Sequence, residues 1–301
     1  MIEGRNQKPE TRRGFRRATA LVWFLVSGFW FIGRTAVAQE QYVPLPPLPL
    51  GDILFSLPTS HIPTDGTFEL KFTHRFNQSL DQGSLSDRVH SLWGLDSNAD
   101  VAIGGSWTLR PDFQISLLRS NAMDDVELAG KYIVVQQAPA VPFGVALRVG
   151  GDWRTERDLN DRASAFGQLI VSRQFGRRAE LFIIPTYATN AGRAVAGNQS
   201  QALFKHATNV PIGLAVMVRP ALSVVAELIP KNRDLPSGQK ADPAWAFGLK
   251  RAIGGHYFEI LVTNSNATHV DQYVSSTYQG STLNKSDLHL GFNIERRFGG
   301  K

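Results

Sequence analysis

The sequence predicts an all-β protein, a transmembrane antiparallel up-and-down β-barrel of about twelve strands (roughly 10–14). Three observations predict this class. The N-terminus has the form of a secretory signal, the segments after residue 66 alternate apolar and polar residues, and the connections between those segments alternate between short and long. Short periplasmic turns and long extracellular loops are typical of outer-membrane barrels.

Residues 1–38 are predicted to be a signal peptide that is cleaved after export. The basic sequence TRRGFRR precedes an apolar core, LVWFLVSGFWFIG, and the spacing of Ala36 and Ala38 fits a signal peptidase site. The core is shorter than the roughly 20 residues of a transmembrane helix. An uncleaved membrane anchor and a twin-arginine signal are the alternatives.

The composition excludes several classes of function. Residues 1–38 hold seven Lys/Arg and two Asp/Glu, so the net charge of +6 belongs mostly to the signal and nucleic-acid binding is not expected. The chain has no cysteine. Disulfides, thiolate metal sites, covalently attached haem and a lipid-modified N-terminal cysteine are therefore excluded.

Residues 39–66 form a separate, Pro-rich segment. The sequence QYVPLPPLPLG favours an extended polyproline conformation and excludes a helix. We expect this segment to be a periplasmic linker in front of the barrel. A docking peptide and an insert in the barrel lumen are the alternatives.

Residues 67–298 are predicted to form the barrel. In the first strand, Phe68, Leu70 and Phe72 face one side, and Glu69 and Lys71 face the other. The strands are predicted at 67–76, 99–109, 113–119, 125–135, 143–153, 163–174, 179–188, 207–218, 222–230, 244–253, 256–264 and 286–298. A proline inside the seventh strand, Pro185, requires a bulge or a strand end because proline has no N–H to donate.

The connections give these strands an orientation. Short connections such as RPD, FGRR, RPA and GG alternate with longer ones, and both termini lie on the short side. In outer-membrane barrels the short side is periplasmic. A soluble β-sandwich has no reason to keep this alternation along the whole chain.

The last strand has the pattern of a lipid-facing strand. Leu290, Phe292, Ile294 and Phe298 share one face, and polar residues alternate with them. The run resembles the C-terminal signal by which the barrel-assembly machinery recognises its substrates. We therefore expect this machinery and outer-membrane lipid among the partners of the chain.

Several short motifs resemble an uncharacterised bacterial β-barrel family that is defined only as a domain of unknown function. The resemblance spans most of residues 55–298, and its specific words are concentrated in 67–135. The matching residues are His74, Arg75 and Phe76, then Gly94, Leu95 and Asp96, then Arg119 and Ser120, and finally Lys131. The resemblance implies an outer-membrane barrel without an established activity. It also implies a periplasmic redox protein as a candidate partner.

The charged residues of the predicted polar face are the candidate site. With lipid outside, this face lines the lumen, and the candidates are Glu69, Lys71, His74, Arg75, Asp96, Arg119, Glu127, Lys131, Arg148, Lys250, Glu259, Glu295 and Arg297. Such a cluster could bind an anion or form the constriction of a pore. The alternative is a network of ion pairs that braces the barrel wall.

These observations predict a porin-like channel for small hydrophilic solutes. The alternative is a closed barrel that acts as an adaptor or scaffold for periplasmic partners, electron-transfer proteins among them, or for surface partners. An enzyme is not expected, since there is no G-x-S-x-G motif and no outward-facing pair of His and Ser.

No cofactor or metal is expected either. The histidines form no i, i+2 or i, i+4 pair of the kind that holds a metal. The acidic sequence MDDVE could bind calcium weakly, and solvated loop charge is the alternative.

Overall fold

The computed structural model describes residues 44–155, 162–196, 199–234, 240–278 and 288–300. The predicted signal peptide, with Ala36 and Ala38, and residues 39–43 lie outside these ranges. In the described ranges, no helix is both long and apolar enough to cross a membrane.

The described chain is almost entirely β-structure. The strands are β1 (Phe68–Phe76), β2 (Ala99–Arg110), β3 (Phe113–Ser120), β4 (Asp125–Val135), β5 (Gly144–Arg154), β6 (Ala163–Phe175), β7 (Ala179–Ile183), β8 (Thr186–Ala196), β9 (Gln199–Asn209), β10 (Ile212–Arg219), β11 (Leu222–Ile229), β12 (Ala241–Asp242), β13 (Ala244–Ile253), β14 (His256–Thr263), β15 (Thr277–Tyr278) and β16 (His289–Phe298). The two short α-helices are α1 (Leu85–His90) and α2 (Val270–Tyr273), and 3-10 turns lie at Leu92–Gly94 and Ala122–Asp124.

The sheet closes on itself as an antiparallel barrel. Strand β1 pairs with β2 on one side and with the last strand, β16, on the other, and β5 pairs with β6. Strands β7 and β8 follow each other along β6 as one wall position, and β9 and β10 form the next. The small β12–β15 sheet is separate. The barrel therefore has twelve wall strands, which confirms the predicted class and number.

Prolines interrupt the two longest wall strands. Pro185 separates β7 from β8, and Pro211 separates β9 from β10. The two breaks are adjacent, because the backbone N–H of Ile184 donates to the carbonyl of Pro211 at 2.9 Å. Beyond the breaks, β8 extends to Ala196 and β9 begins at Gln199, so both wall strands are longer than predicted. A missing N–H thus interrupts the ladder without ending the strand.

The two faces of the wall differ as predicted. Apolar side chains point outward, and Leu128 and Ile260 are 60% and 66% exposed. On β16, Leu290, Phe292, Ile294 and Phe298 lie on the outward face, while His289, Asn293 and Glu295 are buried inside. The outward face is the lipid-contacting surface of the barrel.

The lumen is filled by the N-terminal segment, and we call residues 44–66 the plug. Its side chains Leu50, Leu54, Phe55 and Leu57 are fully buried. Both ends of the plug lie on the periplasmic side, because the N–H of Leu45 donates to Gln137 in the β4–β5 turn and residue 66 leads into β1. The expectation of a linker outside the barrel is therefore wrong for residues 44–66. Leucines that look exposed in an isolated segment form part of the core here.

A second segment enters the lumen from the opposite end, and we call residues 264–276 the inner loop. It follows β14 and contains α2, whose Val270 and Tyr273 are buried. The N–H of Val270 donates to Oε2 of Glu127 at 3.1 Å. Plug and inner loop meet around a cavity of about 50 Å³ that both segments line, with Phe55 and Tyr273 among its walls. The described lumen is thus occupied from both ends.

Candidate functional site: the lumen charges and the plug

Most of the predicted lumen residues do point inward, on the faces that alternation assigns to them. Those whose side chains lie inside the barrel are Glu69, Lys71, Arg75, Glu127, Lys131, Arg148, Lys250, Glu259, Glu295 and Arg297. They lie on six strands, so strand pairing brings them together from distant parts of the sequence. Four of them, Lys71, Arg75, Lys131 and Lys250, contact the plug directly.

Three predicted lumen residues lie elsewhere, and the prediction is corrected for them. His74 alternates with Arg75, so it faces outward and stacks on Phe292 with ring centroids 4.9 Å apart. Arg119 is also on the outer face and forms an exposed ion pair with Asp124 at 2.6 Å. Asp96 lies in the exposed connection after the Leu92–Gly94 turn. Two neighbouring residues of one strand cannot both line the lumen.

Asp52 of the plug is bound by two lysines of the wall. Its carboxylate forms an ion pair with Lys71 at 2.5 Å and accepts a hydrogen bond from Ser106 at 2.9 Å. Lys131 donates to the carbonyl oxygen of Asp52 at 3.0 Å and to that of His61 at 2.7 Å. Burial raises the pKa of the Asp52 carboxyl, but the charges of Lys71 and Lys131 outweigh it and hold the pKa well below its ordinary value.

Lys250 makes the corresponding contacts on the opposite wall. Its Nζ lies 2.5 Å from Glu259 and 3.0 Å from Glu295, and it also donates to the carbonyl oxygens of Ile53 and Leu54 at 2.8 and 3.2 Å. The lysine therefore joins two wall carboxylates to the plug backbone. Nearer the periplasm, Arg297 pairs with Glu69 at 2.5 Å.

The innermost part of the plug is held by Glu227 and Arg75. Oε1 of Glu227 accepts hydrogen bonds from the backbone N–H groups of Phe55, Ser56 and Leu57 at 2.8, 2.9 and 2.9 Å. Arg75 donates to the carbonyl oxygen of Phe55 at 3.3 Å, and the Asn293 amide donates to the same oxygen at 2.9 Å. Hydrogen bonds to charged groups contribute about 1.5–3 kcal/mol each.

The lumen wall also has apolar parts. Ile170, Phe182, Ile184, Val225 and Leu261 are buried there and belong to the same core as the plug leucines. The wall thus binds the plug by charge and also packs against it. Most of the inward charges contact the plug or each other, which is the arrangement of a bracing network.

Sequence reasoning missed several residues of this site. Asp52 and His61 belong to the segment that was expected to be a linker, and Glu180 pairs with His61 at 2.8 Å. Glu227 has the inward parity of its neighbours Val225 and Ile229, so alternation alone could have found it. Nothing in the sequence signals that Asp271 folds into the barrel from a loop.

A closed antiparallel barrel with a lipid-facing apolar surface is a bacterial outer-membrane protein. The chain belongs to the family described as "Membrane bound beta barrel domain (DUF5777)", whose model matches residues 52–298. The matched region begins at Asp52 and so includes most of the plug. No curated protein matches the chain.

Solved outer-membrane proteins have a similar fold at low identity. The NanC porin is 9% identical with a TM-score of 0.46, covering 77% of this chain and 99% of that one. The outer membrane protein Omp33 of Acinetobacter baumannii is 11% identical with a TM-score of 0.38, covering 78% and 99%. Outer membrane phospholipase A from Escherichia coli is 9% identical with a TM-score of 0.37, covering 79% and 94%.

Proposed function

We propose that this protein is a closed outer-membrane barrel that acts as an adaptor for a periplasmic partner, and that its resting lumen does not conduct small hydrophilic solutes. The observation that carries this proposal is the position of the plug, whose backbone is hydrogen-bonded to Lys131, Lys250 and Glu227 of the wall. A solute would have to displace these contacts in order to pass.

The energy of plug removal supports a resident plug. Leu48, Leu50, Leu54, Phe55 and Leu57 are all buried. Burial of each such side chain is worth about 1.5–3 kcal/mol, and the apolar side chains of the inner wall would be exposed as well. Thermal fluctuations alone do not open a lumen that is packed in this way.

The periplasmic mouth offers a surface for a partner. A cavity of about 230 Å³ opens there, and it is lined by Pro44–Pro47, by His61 and by the β4–β5 turn at Gln136 and Gln137. Residues 39–43, which precede this segment in the sequence, lie outside the described residues. A periplasmic protein that binds this mouth is therefore the proposed partner, and the redox protein of the sequence analysis is a candidate for it.

Planar-bilayer conductance tests the closed lumen. The mature wild-type protein, folded as judged by its heat-modifiable migration on a gel, should be silent. A double variant, Arg75→Ala with Lys131→Ala, loses plug contacts and should show discrete steps. Arg119→Ala is the matched control, because Arg119 is a charged residue of the outer face. Discrete steps from the wild type would support the porin-like channel instead.

Site-specific photo-cross-linking in cells tests the adaptor. A photoreactive amino acid at position 45, at the periplasmic mouth, should give a discrete adduct that depends on the partner protein. The same amino acid at position 93, in the exposed connection on the other side, is the control. A silent barrel without an adduct at position 45 would refute the adaptor and leave only the closed lumen.

A further inference from the structure

Three buried aspartates meet near the outer end of the barrel. Asp125 begins β4, Asp152 lies near the end of β5, and Asp271 belongs to α2 of the inner loop. Carboxylate oxygens of the three residues lie within 4.8 Å of one another, and all three side chains are at least 98% buried. The wall and the inner loop thus each contribute negative charge to one small volume.

Several of these oxygens have no hydrogen-bond partner among the described residues. They are both Oδ atoms of Asp152, Oδ1 of Asp125 and Oδ1 of Asp271. An ionised carboxylate that is buried without a partner is strongly destabilised, because it has lost its water without gaining a compensating charge. Asp152 is the clearest case, since its side chain is 2% exposed and points into the cluster. The orphaned oxygens indicate a missing positively charged ligand.

The neighbouring positive charge does not balance the cluster. Arg154 contacts Oδ2 of Asp271, and the Gln272 amide donates to Oδ2 of Asp125 at 3.0 Å. Arg148 is paired with Glu127, so these two charges cancel. With the nearby His269 counted as neutral, three carboxylates and the Arg154 guanidinium leave a formal charge of −2, which is the complement of a divalent cation.

We infer that Asp125, Asp152 and Asp271 bind a calcium-like divalent cation, which fastens the inner loop to the barrel wall. Calcium binds oxygen ligands at about 2.3–2.6 Å, so two ligands of one ion lie up to roughly 5 Å apart, as these carboxylates do. The set contains only carboxylates, which favours a hard cation over a transition metal. Magnesium keeps more of its water and requires shorter, octahedral contacts, so it fits less well.

The second cluster of acids in the lumen differs in this respect. Asp52, Glu69 and Glu295 also lie within 4.8 Å of one another. Each of them forms an ion pair, since Lys71 pairs with Asp52, Arg297 with Glu69 and Lys250 with Glu295. Oδ1 of Asp52, Oε1 of Glu69 and Oε2 of Glu295 also lack a hydrogen-bond partner, so orphaned oxygens do not distinguish the two clusters. Charge does: every acid of the second cluster has a paired cation, whereas Asp125 and Asp152 form no ion pair among the described residues.

The cation would hold the inner loop in the lumen. Asp271 lies in the same short helix as Tyr273, whose hydroxyl accepts a hydrogen bond from Gln168 at 2.8 Å. Loss of the cation would leave the loop carboxylate repelled by the two wall carboxylates. The inner loop should then leave the lumen more often, while the plug keeps its own contacts.

Calcium titration of the chelator-treated mature protein tests the site. We expect one saturable site in isothermal titration with CaCl₂, with a Kd of about 1 mM or tighter. Asp152→Asn should weaken binding at least about tenfold, because it removes a charged ligand. Asp124→Asn is the matched control, since Asp124 is the exposed neighbour of Asp125 and pairs with Arg119. No saturable binding, or equal binding by Asp152→Asn, would overturn the inference.

Two further measurements distinguish a cation that holds the inner loop in place from a folding defect of the variant. The chain has no cysteine, so Ser275→Cys, at a buried position of the inner loop, reports loop opening by its rate of maleimide labelling. Labelling should be fast in chelator and slow in CaCl₂. Without calcium, Asp152→Asn should be more heat-resistant than the wild type because repulsion is relieved, and with calcium the order should reverse. A labelling rate that is the same in chelator and in CaCl₂ would refute the role of the cation in holding the inner loop.

Discussion

Phe55 and Glu227 lie 172 positions apart in the sequence, yet the backbone N–H of Phe55 donates to Oε1 of Glu227 at 2.8 Å deep inside the barrel. The same oxygen accepts from the next two backbone N–H groups, of Ser56 and Leu57. One wall carboxylate thus fixes the turn of the plug. The contact places the plug inside the barrel, although all the wall strands come after the plug in the sequence.

Removal of this acceptor should loosen the plug. Glu227→Ala leaves three backbone N–H groups without their carboxylate, and we expect a loss of about 2–4 kcal/mol in the free energy of unfolding. Urea unfolding of the protein in lipid vesicles measures the change. Asp234→Asn, a substitution of an exposed loop acid, is the control and should be neutral. A Glu227→Ala protein as stable as the wild type would show that the plug does not depend on this contact.

The contact between Leu54 of the plug and Gly213 of the wall leads to a second prediction. A Cβ added at Gly213 of β10 would lie 2.4 Å from Cδ1 of Leu54, so Gly213→Ala should destabilise by about 1–3 kcal/mol. In the background of Leu54→Ala, this penalty should disappear, because the clashing atoms are gone. The double-mutant cycle by urea unfolding measures the coupling. Gly167→Ala on β6, where a Cβ meets open space, is the control. Additive effects would contradict the placement of Leu54.

Acid should weaken the attachment of Asp52. Its pKa is held below the ordinary value of 3.8 by Lys71 and Lys131, so the ionised form is favoured in the folded protein. This contribution to stability is full above the ordinary pKa and is lost as the pH falls through the lowered one. The wild type should therefore lose more stability between about pH 4 and pH 2 than Asp52→Asn does. Heat-modified migration at several pH values measures the difference, and parallel curves would count against it.

The lipid-facing surface makes a prediction of its own. Ile260 lies in the middle of β14, is 66% exposed on the outer face and pairs with Phe292 of β16. Ile260→Arg should destabilise the folded barrel in vesicles by about 2–4 kcal/mol, because a charge near the bilayer midplane is costly. Leu85→Arg, in the exposed helix α1, should have no measurable effect. Equal effects of the two substitutions would argue against the membrane orientation.

The wall of the barrel followed from the sequence because strand alternation is local information. The outer face of β16 and the inward face of β1, with Glu69, Lys71 and Arg75, were predictable from parity alone. His74 shows the limit of reasoning by residue type, since its charge suggested the lumen while its parity placed it beside Phe292. Pro185 correctly indicated an interruption, but the residues around it do not indicate that the strand resumes at Thr186.

The sequence by itself determined the class of the protein: an outer-membrane barrel of twelve strands, with its lipid-facing and inward faces. Only the tertiary structure decided what fills the lumen. The contacts of Asp52 and Phe55 with the wall, and of Asp271 with Asp152, join residues that are far apart in the chain and outside any periodic pattern. Alternation shows which face of a strand points into the barrel. A water-filled lumen and a plugged lumen both require polar residues on that face, so alternation does not distinguish them.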